Sequence, residues 1–524
     1  MTTEFRTPVM PCPRASVARS LRPVWLLVAA LLSGCGKDDQ SAPPPSPPPA
    51  AAVELPATGQ GLAAITCTLC HTLPSPGQLP PEEWPYLLAW MGVYVGYPPE
   101  IEINRNLIAP CFVPPEPRIS RAQFDAIRRY YLEQSAVQYH LPPSRPKPPV
   151  APWFEPVPVE LPARVVCMVA IDPTNHALLM GSSRPSALYV MQQGALLSKS
   201  VPSEPVSFER LGPVQRFGLM GNFTIDNREG QILDLDTRDG HRDTPADNQP
   251  RVVDHCTADL DGDGLDDLVV CGFGDYPVGR VGIFWGGDDK RHEQILFEEP
   301  GAVWCGLSDL DGDGRKDIVI AIGSNRPRLL VFVNQGHRQF EQQTLVTRPV
   351  GWGYNRCLLT DWDGDGKQDI VEVCGNNIEL RGRPLKPWHD FRVLHNDGHF
   401  QFHEVLFEPI PGAMDVAAGD FDGDGRIDLA VTAFCPDWRD EFPTTFLLLM
   451  RQPDGTVKRF GLEDRFWNRW MRIAAGDAQG DGRVDLLLGA AEVPVAVQAE
   501  HLARSQQLMQ QKTSALLLRN RGAH

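Results

Sequence analysis

The chain has 524 residues, which is long enough for two or more domains with complete hydrophobic cores. Its formal net charge of −17 argues against a surface that follows nucleic-acid phosphates, so we expect no nucleic-acid partner. No apolar run of about 18 residues follows Cys35, so we expect no transmembrane helix after that position.

The N-terminal segment has the pattern of an export signal. Four arginines precede an apolar run at residues 24–32, and the small residues Ser33 and Gly34 follow before Cys35. This pattern resembles a bacterial lipoprotein signal, which implies that residues 1–34 are removed and that Cys35 carries the lipid. Gly36, in place of Asp, resembles the sorting pattern that favours the outer membrane. We therefore expect an extracytoplasmic, lipid-anchored protein in the periplasm.

Residues 35–58 are predicted to be the lipid anchor and a linker. The stretch from Pro43 to Pro49 is nearly all proline. Such a sequence favours an extended polyproline-II spacer, which would hold the following domain away from the membrane.

Residues 67–71 form the most informative motif, Cys67-Thr68-Leu69-Cys70-His71. A C-x-x-C-H run is typical of covalent haem attachment, in which both thiols bind the haem and the histidine is an axial iron ligand. A redox dithiol or half of a zinc site are the alternatives. The sequence has neither a second C-x-x-C pair nor a βαβ setting to favour them. We expect one covalent haem c on Cys67, Cys70 and His71.

Residues 59–145 are predicted to form a small all-α unit around this motif. The apolar positions from Trp84 to Met91 lie on one helix face. Ser120 and Gln123 form a capping-box pattern that begins another helix.

The sixth iron ligand is predicted to be Met91. A thioether at this position raises the reduction potential and suits an electron carrier. A methionine that only fills the core, His140 as the ligand, and an open sixth position are the alternatives.

Five acidic segments match the template D-x-D-x-D-G-x-x-D and begin at intervals of 50, 52, 59 and 57 residues. An apolar, strand-like run follows each segment. A repeat of this length predicts a propeller or a solenoid. The segments begin at Asp259, Asp309, Asp361, Asp420 and Asp477.

The acidic loops have the chemistry of hard-cation sites, because converging carboxylates and one backbone carbonyl favour Ca²⁺. EF-hands would need flanking helices and a twelfth-position glutamate, which only the third loop has, at Glu372. Since Gln479 replaces a carboxylate, we expect four to five Ca²⁺ ions that stabilise hairpins. The expected ligands are Asp259, Asp261, Asp263, Leu265 and Asp267; Asp309, Asp311, Asp313, Arg315 and Asp317; Asp361, Asp363, Asp365, Lys367 and Asp369; Asp420, Asp422, Asp424, Arg426 and Asp428; and Asp477, Gln479, Asp481, Arg483 and Asp485.

These loops, with the strand-Asn-x-Gly endings at Asn334 and Asn520, resemble the FG-GAP/VCBS repeats of integrin-α-type propellers. Two weaker units, from Val165 and from Val206, would bring the count to seven blades over residues 160–524. The haem motif, the proline-rich flanks and the two helices together resemble bacterial lipoproteins that carry a cytochrome c-like unit before such a propeller. The implied fold is multidomain, with a small all-α cytochrome c-like domain and an all-β, seven-bladed propeller.

Two cysteine pairs are placed symmetrically about acidic loops. Cys256 and Cys271 bracket the first loop, and Cys357 and Cys374 bracket the third. In a hairpin such residues become cross-strand neighbours, so two disulfides are expected, with free buried thiols as the alternative.

The pattern as a whole predicts a membrane-anchored c-type cytochrome for one-electron transfer, with an unidentified redox partner protein and the propeller as a docking scaffold. The architecture leaves two alternatives open. One is an integrin- or lectin-like binding propeller with an accessory haem. The other is a haem-linked dehydrogenase, although the Trp-ended docking repeats of quinone-cofactor propellers are missing and no catalytic residues stand out.

Overall fold

A computed structural model describes residues 56–103, 108, 112–141, 143, 146–222, 228–274, 278–287, 292–376, 385–439, 443–492, 497, 499–508 and 513–522. The predicted signal peptide, the lipidation site at Cys35 and nearly all of the predicted linker lie outside these residues. Within the described part of the chain, no helix is long and apolar enough to span a bilayer.

The first described unit contains three α-helices: α1 (Gly59–Thr66), α2 (Trp84–Val95) and α3 (Arg121–Gln138). The Thr58 hydroxyl accepts a hydrogen bond from the Gly61 amide and begins α1. Ser120 and Gln123 form the capping box expected at the start of α3. Gly96 ends α2 in a left-handed conformation, with a φ of 103° that favours glycine.

Aromatic stacking holds these helices together. The Trp84 ring stacks on Tyr131 with centroids 4.3 Å apart, and the Trp84 indole donates to the Pro76 carbonyl at 3.1 Å. The buried core that packs around this pair consists of Leu62, Ala63, Leu79, Trp84, Leu88, Ile119, Phe124, Ile127 and Tyr131.

The rest of the described chain forms seven four-stranded antiparallel sheets, which confirms the predicted seven-bladed propeller. The first strands of neighbouring blades contact one another in a ring, so they are the innermost strands. Blades 1 to 3 are β2 (Val166–Ile171), β3 (Leu178–Ser183), β4 (Ser186–Gln192) and β5 (Ala195–Ser200); β6 (Pro205–Leu211), β7 (Val214–Leu219), β8 (Gly230–Asp236) and β9 (Arg242–Gln249); and β10 (Val252–Ala258), β11 (Asp267–Gly272), β12 (Arg280–Phe284) and β13 (Glu293–Phe297).

The strands after these carry the remaining acidic loops. Blades 4 to 6 are β14 (Ala302–Ser308), β15 (Asp317–Ile322), β16 (Arg328–Asn334) and β17 (Phe340–Thr347); β18 (Tyr354–Thr360), β19 (Asp369–Cys374), β20 (Asp390–Gly398) and β21 (Gln401–Pro409); and β22 (Ala413–Gly419), β23 (Asp428–Ala433), β24 (Phe446–Arg451) and β25 (Val457–Phe460). Blade 7 is β26 (Trp470–Gly476), β27 (Asp485–Ala490), β28 (Ala515–Asn520) and β1 (Phe154–Val159), with the short helix α4 (Leu502–Leu508) between β27 and β28.

The seventh blade is completed by a strand from the other end of the propeller sequence. Strand β1 pairs antiparallel with β28, with Phe154 opposite Asn520. The propeller strands therefore begin at Phe154, ahead of the boundary at residue 160 expected from the sequence. Pro156 and Pro158 lie in this strand, where proline is tolerated because β1 is an edge strand.

Every innermost strand has a register shift near its start. In blade 3, for example, the shift falls between Val252 and Asp254. Such a bulge turns the next side chain away from the regular alternation. In four blades that next side chain is charged, and those residues are Asp254, Arg356, Asp415 and Arg472.

These four side chains link blades across the centre of the propeller. The Arg356 guanidinium lies 3.2 Å from Asp254, two blades away, and 3.7 Å from Asp415. Arg472 lies 3.9 Å from Asp415 and donates to the Cys167 carbonyl at 2.9 Å. Burial raises the pKa of Asp254 and the facing Arg356 opposes that change. The arginines therefore place positive charge beside the two buried carboxylates.

We predict that Arg356→Met destabilises the propeller by about 3–5 kcal/mol, because Asp254 and Asp415 lose their shared partner while they stay buried. Arg521→Met is the matched control, since its ion pair with Glu155 is exposed and worth about 0–1 kcal/mol. Urea unfolding followed by near-ultraviolet circular dichroism measures both. Equal losses in the two variants would contradict the prediction.

Candidate functional site

The haem-motif cysteines lie at the end of α1. Cys67 begins a single 3₁₀ turn, Cys67–Leu69, and is half-buried beside the Tyr131 hydroxyl, whereas Cys70 is exposed. Burial raises the pKa of the Cys67 thiol to about 11. The two thiols therefore sit on one short turn at the surface of the helical core.

The His71 ring is oriented by its own backbone. Its Nδ1 lies 2.8 Å from the Thr72 carbonyl oxygen, which favours the tautomer with the proton on Nδ1. In this tautomer Nε2 is unprotonated, and its lone pair is available to a metal ion. Burial lowers the pKa of His71, so the neutral imidazole needed by a metal ligand is favoured. The Thr72 amide in turn donates to the Asn325 carbonyl of the propeller at 3.2 Å.

The surroundings of the motif fit an apolar ligand with a few polar contacts. Leu69 within the motif is 56% exposed, and Ile65 and Leu73 on either side of it are 40% and 37% exposed. The Thr72 hydroxyl, next to His71, is buried without a hydrogen-bond partner. Buried polar groups are normally paired, so this hydroxyl is suited to an additional group at this place.

Met91 is half-buried in α2 and is not among the residues that form the apolar core of the described helices. A methionine that only fills the core would pack with Trp84 and Leu88. His140 is exposed after α3. A separate cavity of about 460 Å³, between the start of α1 and α3, is lined by Thr58 and Tyr130 and by no residue of the haem motif.

The helical unit contacts the propeller on one face. Thr72 bonds the loop between β15 and β16, and the Tyr139 hydroxyl donates to the Leu385 carbonyl in the loop between β19 and β20 at 3.0 Å. Both loops join the second and third strands of a blade. The acidic loops join the first and second strands and, in an antiparallel blade, emerge on the opposite face.

The first aspartate of each acidic loop folds the loop around itself. In the first loop, Asp259 accepts hydrogen bonds from the Gly262 and Gly264 amides at 2.7 and 2.9 Å. The φ angles of these glycines are 80° and 83°, which only glycine adopts readily. The first aspartate of every other acidic loop makes the equivalent pair of bonds.

The ninth-position aspartates have a role that sequence reasoning missed. Asp267 is fully buried, and its carboxylate accepts the Leu260 amide of its own loop and the Gly286 amide just after the third strand, both at 2.8 Å. All five acidic loops repeat this bridge. Burial raises the pKa of Asp317 to about 6 and of Asp428 to about 7.

The side chain at the seventh position makes a second connection between the acidic loop and the third strand. From the sequence, only the backbone carbonyl of this residue was expected to matter, as a calcium ligand. Arg315 pairs with Asp313 and donates to the Asn334 carbonyl at the end of the third strand. Arg426, Arg483 and Lys367 make the same pair of contacts in their own loops. Leu265 occupies the position in the first loop and is 47% exposed.

Four of the five acidic loops bring carboxylate oxygens close enough together to hold a cation. In each group the oxygens lie within 4.8 Å of one another. In the fifth loop the Gln479 amide instead donates to Asp485 at 3.2 Å, and this loop forms no such group among the described residues. The groups are Asp259, Asp261 and Asp263; Asp309, Asp311 and Asp317; Asp361, Asp363 and Asp365; and Asp420, Asp422 and Asp428.

The asparagines at the strand ends join neighbouring blades. The Asn334 amide donates to the Leu260 carbonyl in the acidic loop of the preceding blade at 2.7 Å. Asn520 makes the equivalent bond to the Phe421 carbonyl at 2.9 Å. Asn396 bonds the Gln368 carbonyl within its own blade. The Asn-x-Gly signal in the sequence thus marks a contact between repeats at Asn334 and Asn520, but not at Asn396.

The expected disulfides do not form in this structure, where all four cysteines are free thiols. The turn pairs Ala258 with Asp267, and the register that follows places Cys256 opposite Val269 and Cys271 opposite Asp254. In blade 5 the turn pairs Thr360 with Asp369, so Cys357 faces Glu372, and Cys374 faces Tyr354. Symmetric spacing about a loop could not show which residues the turn pairs.

We predict that Asn334→Ala destabilises the propeller by about 1 kcal/mol more than Asn396→Ala, because only Asn334 bonds the preceding blade. Each substitution also removes a hydrogen bond that the asparagine makes within its own blade, to Lys316 or to Gln368, so Asn396→Ala is a matched control. Chemical unfolding of the two variants measures the difference. A loss in Asn396→Ala as large as that in Asn334→Ala would contradict the inter-blade role.

The comparison with protein families agrees with this architecture. The FG-GAP-like repeat model matches residues 309–372 and 387–431. No curated protein matches the sequence significantly.

Solved structures give weak likenesses at 10–11% identity. The N-terminal domain of Nup159 aligns with a TM-score of 0.41 over 71% of this chain and 96% of its own. BBS1N in complex with ARL6DN aligns with a TM-score of 0.42 over 70% of this chain and 96% of its own. YCF48 bound to D1 peptide aligns with a TM-score of 0.41 over 72% of this chain and 98% of its own. On the matched repeats and the seven described sheets, this chain carries FG-GAP-like repeats in a seven-bladed β-propeller.

Proposed function

We propose that this protein is a c-type cytochrome that transfers single electrons outside the cytoplasm, with the propeller as a calcium-stabilised scaffold. The motif from Cys67 to His71 is the observation that carries the proposal. Its two thiols share one short turn, and the His71 Nδ1 is engaged by a backbone carbonyl, so that Nε2 is free for a metal.

The thiol chemistry supports haem attachment over a redox dithiol. Reactive dithiols have a lowered thiol pKa, whereas burial raises that of Cys67. Cys67 and Cys70 would hold the haem covalently, His71 would be one axial ligand and Met91 the other. When bound, haem c supplies a one-electron redox centre. The uncovered side chains of Leu69 and Leu73 would then be shielded from water.

The acidic loops support the calcium part of the proposal. Three carboxylates within one loop repel each other unless a cation lies among them, and oxygen-only ligand sets favour Ca²⁺. The proposed ions would fix the first-to-second-strand turns on the face opposite the helical unit. This arrangement makes the propeller a rigid support that holds the haem unit through Thr72 and Tyr139.

The proposal places the protein in the periplasm, anchored to the outer membrane through lipid on Cys35. The motivation is the N-terminal signal pattern, with Gly36 after the modified cysteine. The proposed partner is a redox protein that approaches the haem unit.

A ligand-binding propeller with an accessory haem is the second candidate. The helical unit contacts the face of the second-to-third-strand loops, so the acidic-loop face is left for another molecule. Binding to a glycan array, in a protein whose haem shows no redox turnover, would favour this candidate over electron transfer.

We predict that the protein, matured in a periplasm with a haem attachment system, carries one haem by mass spectrometry. Met91→Ala should keep the haem, because both thioether bonds remain, but should change the spin state in the absorption spectrum. His140→Ala is the control and should leave the spectrum unchanged. A protein without a haem adduct would refute the proposal, and a Met91→Ala spectrum like that of the wild type would remove Met91 as the ligand.

We predict that calcium chelation lowers the melting temperature of the propeller while the haem spectrum persists. An ion that binds only the folded state stabilises it by about 2.7 kcal/mol per site at a hundredfold excess over its dissociation constant. Asp311→Asn should reduce the calcium-dependent shift, because one carboxylate of the second loop is lost. Gln479→Glu should increase it, because the fifth loop gains the missing charge.

The two substitutions keep similar side-chain shapes and change the charge in opposite directions, so each is the control for the other. The calcium content of each variant, measured by elemental analysis, accompanies the melting curves. A melting temperature that is indifferent to the chelator would show that the loops do not depend on calcium.

A further inference from the structure

We propose that the third acidic loop binds a borderline divalent cation such as Zn²⁺, because it includes a histidine. The His395 Nδ1 lies 3.2 Å from a carboxylate oxygen of Asp363 and 3.2 Å from one of Asp369. The three atoms form a group that could hold a metal ion. This separation fits ligands about 2.0–2.2 Å from one ion. This inference extends the cation binding that we propose for the acidic loops. The zinc site itself is argued from His395 and its neighbours, and only the expectation of calcium at the other loops rests on the proposed function.

The histidine is peculiar to this repeat among the five. Equivalent positions in the five repeats can be found from the hydrogen bond between the ninth-position aspartate and a backbone amide at the end of the third strand. In the third acidic loop this amide belongs to Asn396, and His395 directly precedes it. The other four repeats have no imidazole at the preceding position, so the same protein contains four internal comparisons. The residues there are Trp285, Val333, Met450 and Arg519.

A second carboxylate stands behind the imidazole. The His395 Nε2 lies 3.8 Å from Asp397, whose other oxygen is 2.7 Å from the His403 ring. The two rings meet edge to face, with centroids 5.3 Å apart. Metal-binding histidines usually direct their second nitrogen at such a carboxylate, which orients the ring and raises its basicity. At 3.8 Å the Asp397 carboxylate is beyond hydrogen-bond distance of Nε2 and only places negative charge on that side of the ring.

The other carboxylates of this loop are already engaged. Asp361 accepts the Gly364 and Gly366 amides, and the Lys367 ammonium lies 2.6 Å from Asp365. Asp369 also accepts two backbone amides, from Trp362 and Asn396, but the oxygen that accepts the Asn396 amide lies beside His395 Nδ1, so the ligand atoms of Asp363, Asp369 and His395 lie together. One nitrogen and two oxygen ligands with room for water suit Zn²⁺, whereas Ca²⁺ prefers six to eight oxygens.

Asp363 also belongs to the all-carboxylate group of the same loop. One carboxylate cannot serve both ions fully, so zinc at His395 should compete with calcium at this loop. The other acidic loops, which have no imidazole at the equivalent position, should keep their calcium.

The experiment uses the full-length protein with haem attached, dialysed against calcium and then against equal calcium and zinc. Elemental analysis should find about one more zinc ion in the wild type than in His395→Val, which copies the residue of blade 4. The calcium content of His395→Val should not fall, and its zinc affinity, measured by calorimetry, should be at least tenfold lower. His241→Val, at an exposed histidine, is the control and should bind zinc like the wild type.

His395→Asn keeps a polar side chain of similar reach and replaces His395→Val if that variant does not fold. Equal zinc binding by the wild type and both His395 variants would overturn the inference. So would a loss in His241→Val as large as that in the His395 variants. If the zinc difference appears but no loop binds calcium, the inference stands and the calcium part of the proposed function fails. If the loops bind calcium but the wild type and the His395 variants bind equal amounts of zinc, the calcium part of the proposed function stands and the zinc inference fails.

Discussion

The buried aspartate at the ninth position of each acidic repeat is the contact on which the rest of the blade depends. Its two oxygens accept one amide from the acidic loop and one from the end of the third strand. It therefore joins two strands and a turn through one side chain, at a position where an unpaired carboxylate would be costly. The exposed carboxylates of the same loop are held in place by this anchor, and they become close enough to share a cation.

The blades are closed into a ring by two further devices. Strand β1 completes the seventh blade at its outer edge, while Arg356 and Arg472 join the innermost strands at the centre. The helical unit then lies against the second-to-third-strand loops, and the acidic loops occupy the other face. The haem motif and the carboxylate groups are thus on opposite faces of the propeller. The proposed ions would therefore support the scaffold and take no direct part at the haem motif.

Sequence reasoning succeeded where one residue type has one physical use. The template glycine, Gly264 in the first loop, adopts the positive φ that the turn needs, and the repeat of the acidic template predicted the blades. Sequence reasoning failed where the pairing of strands in the sheet decides which residues are neighbours. Symmetric spacing suggested that Cys256 and Cys271 face each other, but the turn pairs Ala258 with Asp267, and this register places the two cysteines opposite other residues. The propeller was expected to begin at residue 160, but the pairing of β1 with β28, far away in the chain, places its first strand at Phe154.

The sequence by itself determined the repeat, the loop chemistry and the C-x-x-C-H motif, because each depends on residues close together in the chain. Only the tertiary structure brought Arg356 to Asp254, Asn334 to Leu260 and His395 to Asp363, because these contacts join different strands or different blades. The bulges, the register and the closure of the ring set those distances. Local spacing carries no information about them, since the same acidic template occurs in repeats with and without a histidine beside it.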